Sequence, residues 1–293
     1  MRIAVLSDAQ SWYYRDLLRA AGESHQLQAV SFARLSASLC EGRGKVTSDG
    51  IGLVDFDALI VRSMPPGSLE QVVFRMDVLG RLAASGMCVV NPPRALEAAV
   101  DKFLATALLA EAGLKTPPTV ACQSVPEALE AWERSGGDVV VKPIFGSEGR
   151  GMIRVSDPAI AERTFKALAR LDAVLYLQQF VPHDGSDVRL FVAGQQVWGM
   201  RRRHASDWRT NISCGGRGEP FEVTDAWAEL ARRAAAAVGA SIAGVDFLIG
   251  LDGETYALEV NGVPGWKALA ETTGVDIAAQ VLEHVAQLSR RAA

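Results

Sequence analysis

Little in this chain points to the cell surface or to nucleic acid. Its four cysteines (Cys40, Cys88, Cys122 and Cys214) are scattered over 293 residues, with no CxxC pair and no Cys/His ladder. That excludes a disulfide framework of the secreted kind and a zinc ribbon, and leaves isolated reduced thiols. No apolar run approaches the roughly 20 residues that a membrane helix needs. The opening segment runs straight from Met1 to Asp8, too soon for a secretory leader. A basic excess is missing as well, since 30 Lys and Arg stand against 34 Asp and Glu for a net charge of -4. This argues against a general nucleic-acid binder, although local basic clusters can still serve anionic small molecules. The expectation is a soluble cytoplasmic protein with neither a membrane nor a nucleic acid as partner.

What is present is ordinary globular composition, 49% hydrophobic and 22% charged. The length suffices for two or three lobes with buried cores. Strand and helix alternate at first: strands over 2–7, 28–32, 56–61 and 87–90, helices over Trp12–Ala21 and 71–85. Gly86 closes the second helix as a C-cap, and the alternation predicts a doubly wound α/β lobe. An alanine-rich helix is expected over 95–112, then a strand and helix across 120–131. Strand 138–142 runs into Pro143 and a glycine-rich loop, and strand 152–155 returns from it as a hairpin. Segments 175–181, 188–192 and 196–200 read as an antiparallel meander, followed by helix 225–238, strands 244–249 and 255–260, and helix 276–290. The fold class is α/β (α+β).

Three features carry chemistry. Val141-Lys142-Pro143 precedes the glycines at 146, 149 and 151, whose backbone amides can approach phosphate oxygens without Cβ obstruction. This is not a Walker A sequence, because the lysine precedes the loop; by itself the loop reads equally as a common turn. Second, Asp246 lies on one apolar strand and Glu259-Val260-Asn261 on the next, with Glu259 and Asn261 on one side of their strand. Carboxylates interrupting buried strands need a cation or hydrogen-bond partners, and hard oxygen ligands suit Mg²⁺ or Mn²⁺. Third come the run Arg201-Arg202-Arg203 and the segment Trp208-Arg209-Thr210-Asn211. They read as clamps on phosphoryl or carboxylate oxygens, or, for Arg203 and Arg217, as a solvated basic face. Arg62, at the end of strand 56–61, reads either as a contact to a substrate carboxylate or as a surface arginine.

These residues in this order resemble the ATP-grasp superfamily, and within it the RimK-like amino-acid ligases. The similarity runs through Asn91-Pro92-Pro93, Asp101-Lys102, Val141-Lys142-Pro143 with the loop 146–151, and Gln178-Gln179-Phe180-Val181. It continues through Ser186-Asp187-Val188-Arg189, Arg209-Thr210-Asn211, Gly244-Val245-Asp246 and Glu259-Val260-Asn261. The resemblance implies three lobes, an N-terminal α/β lobe over 1–92, a central lid over 93–180 and a C-terminal lobe over 181–293, with the nucleotide between the last two. It implies ATP contacts from Lys102, Lys142, Gly146, Ser147, Gly149 and Gly151. The backbone of Gln178, Gln179, Phe180 and Val181 would read the adenine, and Asp187 would lie near the ribose. Arg209 and Asn211 would be catalytic, Asp246, Glu259 and Asn261 would hold Mg²⁺ or Mn²⁺, and Arg62 and Arg202 would meet substrate.

The implied reaction is an ADP-forming ligation through an acyl-phosphate. Two departures from the family pattern stand out, Gln179 where Glu is usual and Cys214 where a basic residue is frequent. The segment from Asn261-Gly262-Val263-Pro264-Gly265-Trp266 to Thr273-Gly274-Val275-Asp276 is similar to a subgroup that adds L-glutamate to a tetrahydromethanopterin-type cofactor. A protein C-terminus as acceptor, an ATP-grasp kinase, a non-catalytic nucleotide-binding regulator and assembly as a homo-oligomer stay open at this level.

Overall fold

The computed structural model describes residues 1–40, 43–146 and 149–292. The chain opens with β1 (Arg2–Leu6), α1 (Trp12–Ala21) and β2 (Gln26–Val30), then β3 (Leu35–Cys40), β4 (Arg43–Ser48) and β5 (Ile51–Gly52). β6 (Ala58–Val61), α2 (Leu69–Ala84) and β7 (Cys88–Val90) complete this part. A parallel sheet of order β2-β1-β6-β7 forms. The apolar runs of β1 and β6 follow from burial on both faces. Ile3 and Val5 face α1, whereas Ala4 and Leu6 pack with Val78, Leu79 and Leu82 of α2. Ser68 and Gln71 form a capping box at the start of α2. The small antiparallel sheet β3-β4-β5 has no counterpart in the sequence reading. Its strands are short of apolar residues, and five of the six β3 residues are exposed, so alternation had no core face to mark.

The helix expected over 95–112 is two helices, α3 (Pro93–Val100) and α4 (Lys102–Glu111). Asp101 breaks it: its backbone is extended, and its carboxylate accepts hydrogen bonds from the Phe103 and Leu104 amides as N-cap of α4. Both helices share a core with the C-terminal sheet, through Ala95, Ala98, Ala105 and Leu109 beside Val188, Leu190 and Val245. The packing therefore joins the first helices of the expected 93–180 lobe to the sheet of the expected 181–293 lobe. Next come β8 (Thr119–Cys122), α5 (Val125–Arg134), β9 (Val139–Lys142), β10 (Ile153–Val155), α6 (Pro158–Ala169) and β11 (Leu175–Gln179). They build an antiparallel sheet of order β10-β9-β11-β8. β11 thus belongs to this sheet and not to a meander with the strands after it. α6 escaped the sequence reading although Asp157 caps it and Pro158 occupies its first turn.

The last part holds β12 (Ser186–Ala193), β13 (Gln196–Arg203), β14 (Arg217–Pro220), α7 (Asp225–Ala237), β15 (Ile242–Ile249), β16 (Thr255–Asn261), α8 (Lys267–Thr273) and α9 (Ile277–Ala292). Its antiparallel sheet has the order β14-β13-β12-β15-β16. One face packs on α4 and α7 through Val188, Leu190, Val192 and Phe247. On the opposite face, Phe191 and Ala193 meet Trp266 and α9, which docks back on β1 and α1. The remaining half of that face carries charge and forms a wall of the cleft described below. Asn91, 2% exposed, ties the first sheet to the last. Its amide donates to the carbonyls of Ile242 and Gly262, each at 2.6 Å, and accepts from the amides of Ser241 at 2.9 Å and Ile242 at 3.0 Å. No described helix is long and apolar enough to cross a membrane.

Candidate active site

The central sheet and the C-terminal sheet face each other across a cleft lined by residues of both. On the central wall, Lys142 ends β9 opposite Tyr176 on β11, with Gln178 as its diagonal neighbour on the same face. Lys142 Nζ donates to Gln178 Oε1 at 2.6 Å. Gln178 is oriented in turn: its Nε2 donates to Thr119 Oγ1 at 3.0 Å and to the Tyr176 hydroxyl at 3.3 Å. A third hydroxyl, that of Thr106, lies 2.8 Å from Tyr176. Burial pushes the Lys142 ammonium down to about 8, with Lys102 adding to the effect and Glu259 opposing it. Lys102, first residue of α4, donates from Nζ to the Gly146 carbonyl at 2.5 Å and lies 3.9 Å from Glu259. Two lysines therefore stand in one cleft, where the ion pair they make among the described residues is the long one from Lys102 to Glu259, an arrangement suited to an anion.

The strand end that follows Gln178 narrows the backbone available to a ligand. The Gln179 amide donates to Pro118 O at 2.8 Å and the Phe180 amide to Asp138 O at 3.0 Å. The Val181 amide has no partner among the described residues and lines the cleft. The Gln179 side chain donates to the Ser135 carbonyl, at the end of α5, at 3.4 Å. Phe180 lies beneath the Arg154 guanidinium, 3.5 Å from its ring centroid, and edge-on to Trp208. Asp138 holds Arg154 there through two hydrogen bonds of 2.9 and 2.6 Å.

The opposite wall is an ordered set of charges. Register places Arg189, Asp246 and Glu259 in one row across β12, β15 and β16, with Asp187 and Arg202 paired in the next row. Asp246, 5% exposed, accepts from Arg189 Nη1 at 2.7 Å and lies 3.0 Å from Arg202 Nη2. Burial would raise the Asp246 carboxyl, but Arg189 and Arg202 hold it below the usual aspartate range. Arg202 also takes both oxygens of Asp187, at 2.8 and 2.5 Å. Burial would lower its pKa, yet the two carboxylates raise it above that of an exposed arginine. Gly244 makes room for this network, since a Cβ there would collide with the Arg189 guanidinium. A bulge between Asp246 and Phe247 shifts the register of β16, so Leu258 and Glu259 both face the cleft.

The loop between β13 and β14 closes the cleft from the side. Arg209 is held by Asp207 through Nε, at 3.2 and 3.1 Å, and Nη2, at 2.6 Å. His204 Nδ1 accepts from the amides of Ser206 and Asp207 at 3.2 and 2.7 Å, which shapes the loop and occupies the lone pair a general base would need. Gly149 of the glycine loop rests on this segment: with φ of +73°, a Cβ on it would lie 2.7 Å from Asn211 Oδ1 and 3.4 Å from Cys214 Sγ. Only glycine fits there on both counts.

The cleft gathers Lys102, Lys142, Gly146, Gly149, the segment 178–181, Asp187, Arg202, Arg209, Asn211, Asp246 and Glu259. Three expected residues stand outside its lining. Gly151 turns the chain against Pro143, Asn261 Oδ1 accepts from the Val263 amide at 2.9 Å, and Arg62 is buried beneath the segment that follows Asn261. Ser147 lies outside the described residues. Sequence reasoning missed Arg189 as the partner of Asp246 and also His183, which lines the cleft and whose imidazole burial pushes down. The signal for Arg189 was its place two residues after Asp187 on one strand.

Comparison with known proteins agrees with this architecture. The family model for the RimK PreATP-grasp domain matches residues 1–96 and that for the RimK-like ATP-grasp domain residues 99–285. The tetrahydromethanopterin:alpha-L-glutamate ligase of Methanosarcina acetivorans is 35% identical, over 96% of this chain and 97% of its own. A probable alpha-L-glutamate ligase of Picosynechococcus sp. is 30% identical, over 97% and 95%. Among solved structures, the ATP-grasp ligase PsnB complexed with minimal precursor superposes with a TM-score of 0.78 at 24% identity, over 98% of both chains. The RimK domain protein ATP-grasp from Sphaerobacter thermophilus reaches 0.75, also at 24% identity, over 97% of this chain and 99% of its own. By match over nearly its whole length and by its fold, this chain belongs to the RimK-like ATP-grasp family.

Proposed function

We propose that the protein is an ADP-forming carboxylate–amine ligase that adds L-glutamate to a small-molecule acid, a cofactor of the tetrahydromethanopterin type. The observation that carries this reading is the meeting of Lys102 and Lys142 with Asp246 and Glu259 on the walls of one cleft. The names of the relatives supply the substrate class.

In this reading ATP lies between the central and C-terminal lobes. Lys102, Lys142 and the backbone of the glycine loop, Gly146 to Gly151 with Ser147, take its phosphates, and the Val181 amide takes the adenine edge. Asp187 and Arg202 act by positioning Asp246, since Asp187 holds Arg202 and Arg202 in turn reaches Asp246. Mg²⁺ or Mn²⁺ would be held by Glu259 and Asp246, with Asn261 adding an amide oxygen. The donor chemistry fits, since all three offer hard oxygens. Glu259 has no hydrogen bond among the described residues and faces Lys102 at 3.9 Å, whereas Asp246 is engaged by Arg189 and Arg202 and Asn261 Oδ1 by the Val263 amide. When bound, the cation supplies charge neutralisation for the phosphates.

The protein's own part is positioning and exclusion of water. A carboxylate oxygen of the acid attacks the γ-phosphorus, the bond to the β,γ-bridging oxygen breaks, and ADP leaves. The amine of glutamate then attacks the acyl carbon, loses a proton, and phosphate departs. Asp207 engages Nε and Nη2 of Arg209, which leaves Nη1 for the phosphoryl oxygens. Gly149, seated against Asn211, closes the loop over the acyl-phosphate.

Phosphate release, screened over amino acids crossed with acids, tests the reading. The strongest release is expected from L-glutamate with a pterin-type acid. Phosphate retained on a single acceptor would mean a kinase, and release only with protein C-termini would move the acceptor to proteins. Silence with every pair would refute the ligase.

A further inference from the structure

Two buried arginines, Arg62 and Arg75, stand apart from the cleft and pair with no carboxylate among the described residues. Arg75 donates to the Pro65 carbonyl at 2.6 Å, and only Arg62 of the two keeps a buried nitrogen with no partner. Arg62 follows β6 at the carboxyl end of the parallel sheet, where ligands of open α/β sheets bind. It is 9% exposed. Its guanidinium lies over the rings of Trp266, at 4.3 Å from the centroid, and Tyr13, at 4.9 Å. Nη2 donates to the Pro264 carbonyl at 2.8 Å, and Nε is buried with no partner. Arg189 and Arg202 are comparably buried, at 8% and 6% exposure, and each meets a carboxylate. Arg62 meets none among the described residues. The acid in this cluster, Asp16, accepts from Trp266 Nε1 at 2.8 Å and pairs with Arg19 at 2.8 Å. A buried charge without a counter-ion is costly, and burial pushes the Arg62 pKa down to about 10.

The surroundings complete an anion site. α1 begins beside Arg62: Tyr13, in its first turn, is one of the two rings against the guanidinium. That ten-residue helix has no side-chain cap from Ser11 and no acidic residue in its first turn, so its positive end is uncompensated. Gly265 lets the segment after Asn261 approach, because a Cβ there would collide with the Tyr13 hydroxyl. Pro264, three positions beyond Asn261, links the cluster to the metal-binding end of the cleft, where the reacting carboxylate must lie.

We propose that Arg62 and the first turn of α1 form a subsite for a substrate carboxylate, remote from the one that reacts. The subsite rests on the ligase reading for its two sources of carboxylate, the acid and the amino acid. A guanidinium fork matches a carboxylate, and anchoring one end of a substrate orients the other.

The test titrates L-glutamate and glutarate, an acid with no amine, into the full-length protein, read by the fluorescence of the stacked tryptophan and by calorimetry. Arg62→Gln should weaken binding by about 10- to 100-fold, the worth of a charge-assisted hydrogen bond. Arg62→Lys, which keeps the charge and loses the fork, should fall between. ATP affinity should be unchanged in both, which a general loosening of the segment after Asn261 would not allow. A response confined to L-glutamate assigns the subsite to the amine substrate, and one shared by glutarate assigns it to the acid. Wild-type affinity for both probes in folded Arg62→Gln, or in Arg62→Lys if the glutamine variant does not fold, would overturn the proposal; so would no binding of either probe by the wild type. Failure of the ligase reading shows separately, as no phosphate release from any acid–amine pair, and leaves the titration readable.

Discussion

Lys142→Met should make the ligand-free protein more stable while abolishing its response to ATP. Lowering the lysine from 10.5 to about 8 costs the charged form about 3 kcal/mol at pH 7. Removing the ammonium relieves that cost but leaves Gln178 Oε1 without its 2.6 Å donor, a loss of about 1–2 kcal/mol. The net gain is about 1–2 kcal/mol, with the methionine filling the volume of the lysine stem. The pH dependence has a definite sign. Between about pH 8 and 10.5 the unfolded chain binds more protons at this site than the folded one, so the wild type gains stability as pH rises. The advantage of the variant therefore shrinks by about 2 kcal/mol from pH 7 to pH 9.5. Denaturant titrations of both proteins at the two pH values, with and without ATP, read the whole argument. A variant less stable than wild type at pH 7, or a difference independent of pH, would refute it.

The carboxylate wall separates cleanly by substitution. Glu259→Gln should leave the denaturation midpoint within about 0.5 kcal/mol of wild type, as at surface sites, and abolish Mg²⁺-dependent ADP release. Asp246→Asn should cost about 3–5 kcal/mol in the same titration, because it leaves Arg189 and Arg202 buried without their shared carboxylate; a midpoint like that of Glu259→Gln would contradict the network. Gly149→Ala places a left-handed residue against Asn211 Oδ1, at 2.7 Å. The backbone cost alone is about 1–2 kcal/mol, so steady-state kinetics should show kcat lowered about tenfold or more; unchanged kcat would mean the loop closes elsewhere.

Legibility followed proximity in the chain. The hairpin of β9 and β10 around the glycine loop was readable because its strands and turn are contiguous. So was the pairing of β15 with β16, where apolar strands flank Asp252-Gly253. The break at Asp101 could have been found, since aspartate ahead of a helical turn is a cap signal. The composition of 102–111 masked it, because alanine and leucine favour helix on either side.

Sequence by itself determined the alternation of elements, the residue types that could handle phosphate and metal, and the family that their order resembles. Local propensity, apolar period and motif order need no knowledge of distant partners. Only the tertiary structure decided which charges neutralise one another. Asp246 meets Arg189 and Arg202 because of the register of β12 against β13 and β15, and a one-residue slip would send each side chain to the other face. The bulge that turns both Leu258 and Glu259 into the cleft is likewise a property of pairing. Arg62 is the sharpest case. The sequence left it at a strand end; α1 and the segment from Pro264 to Trp266, the latter some 200 residues away, bury it with no counter-ion among the described residues.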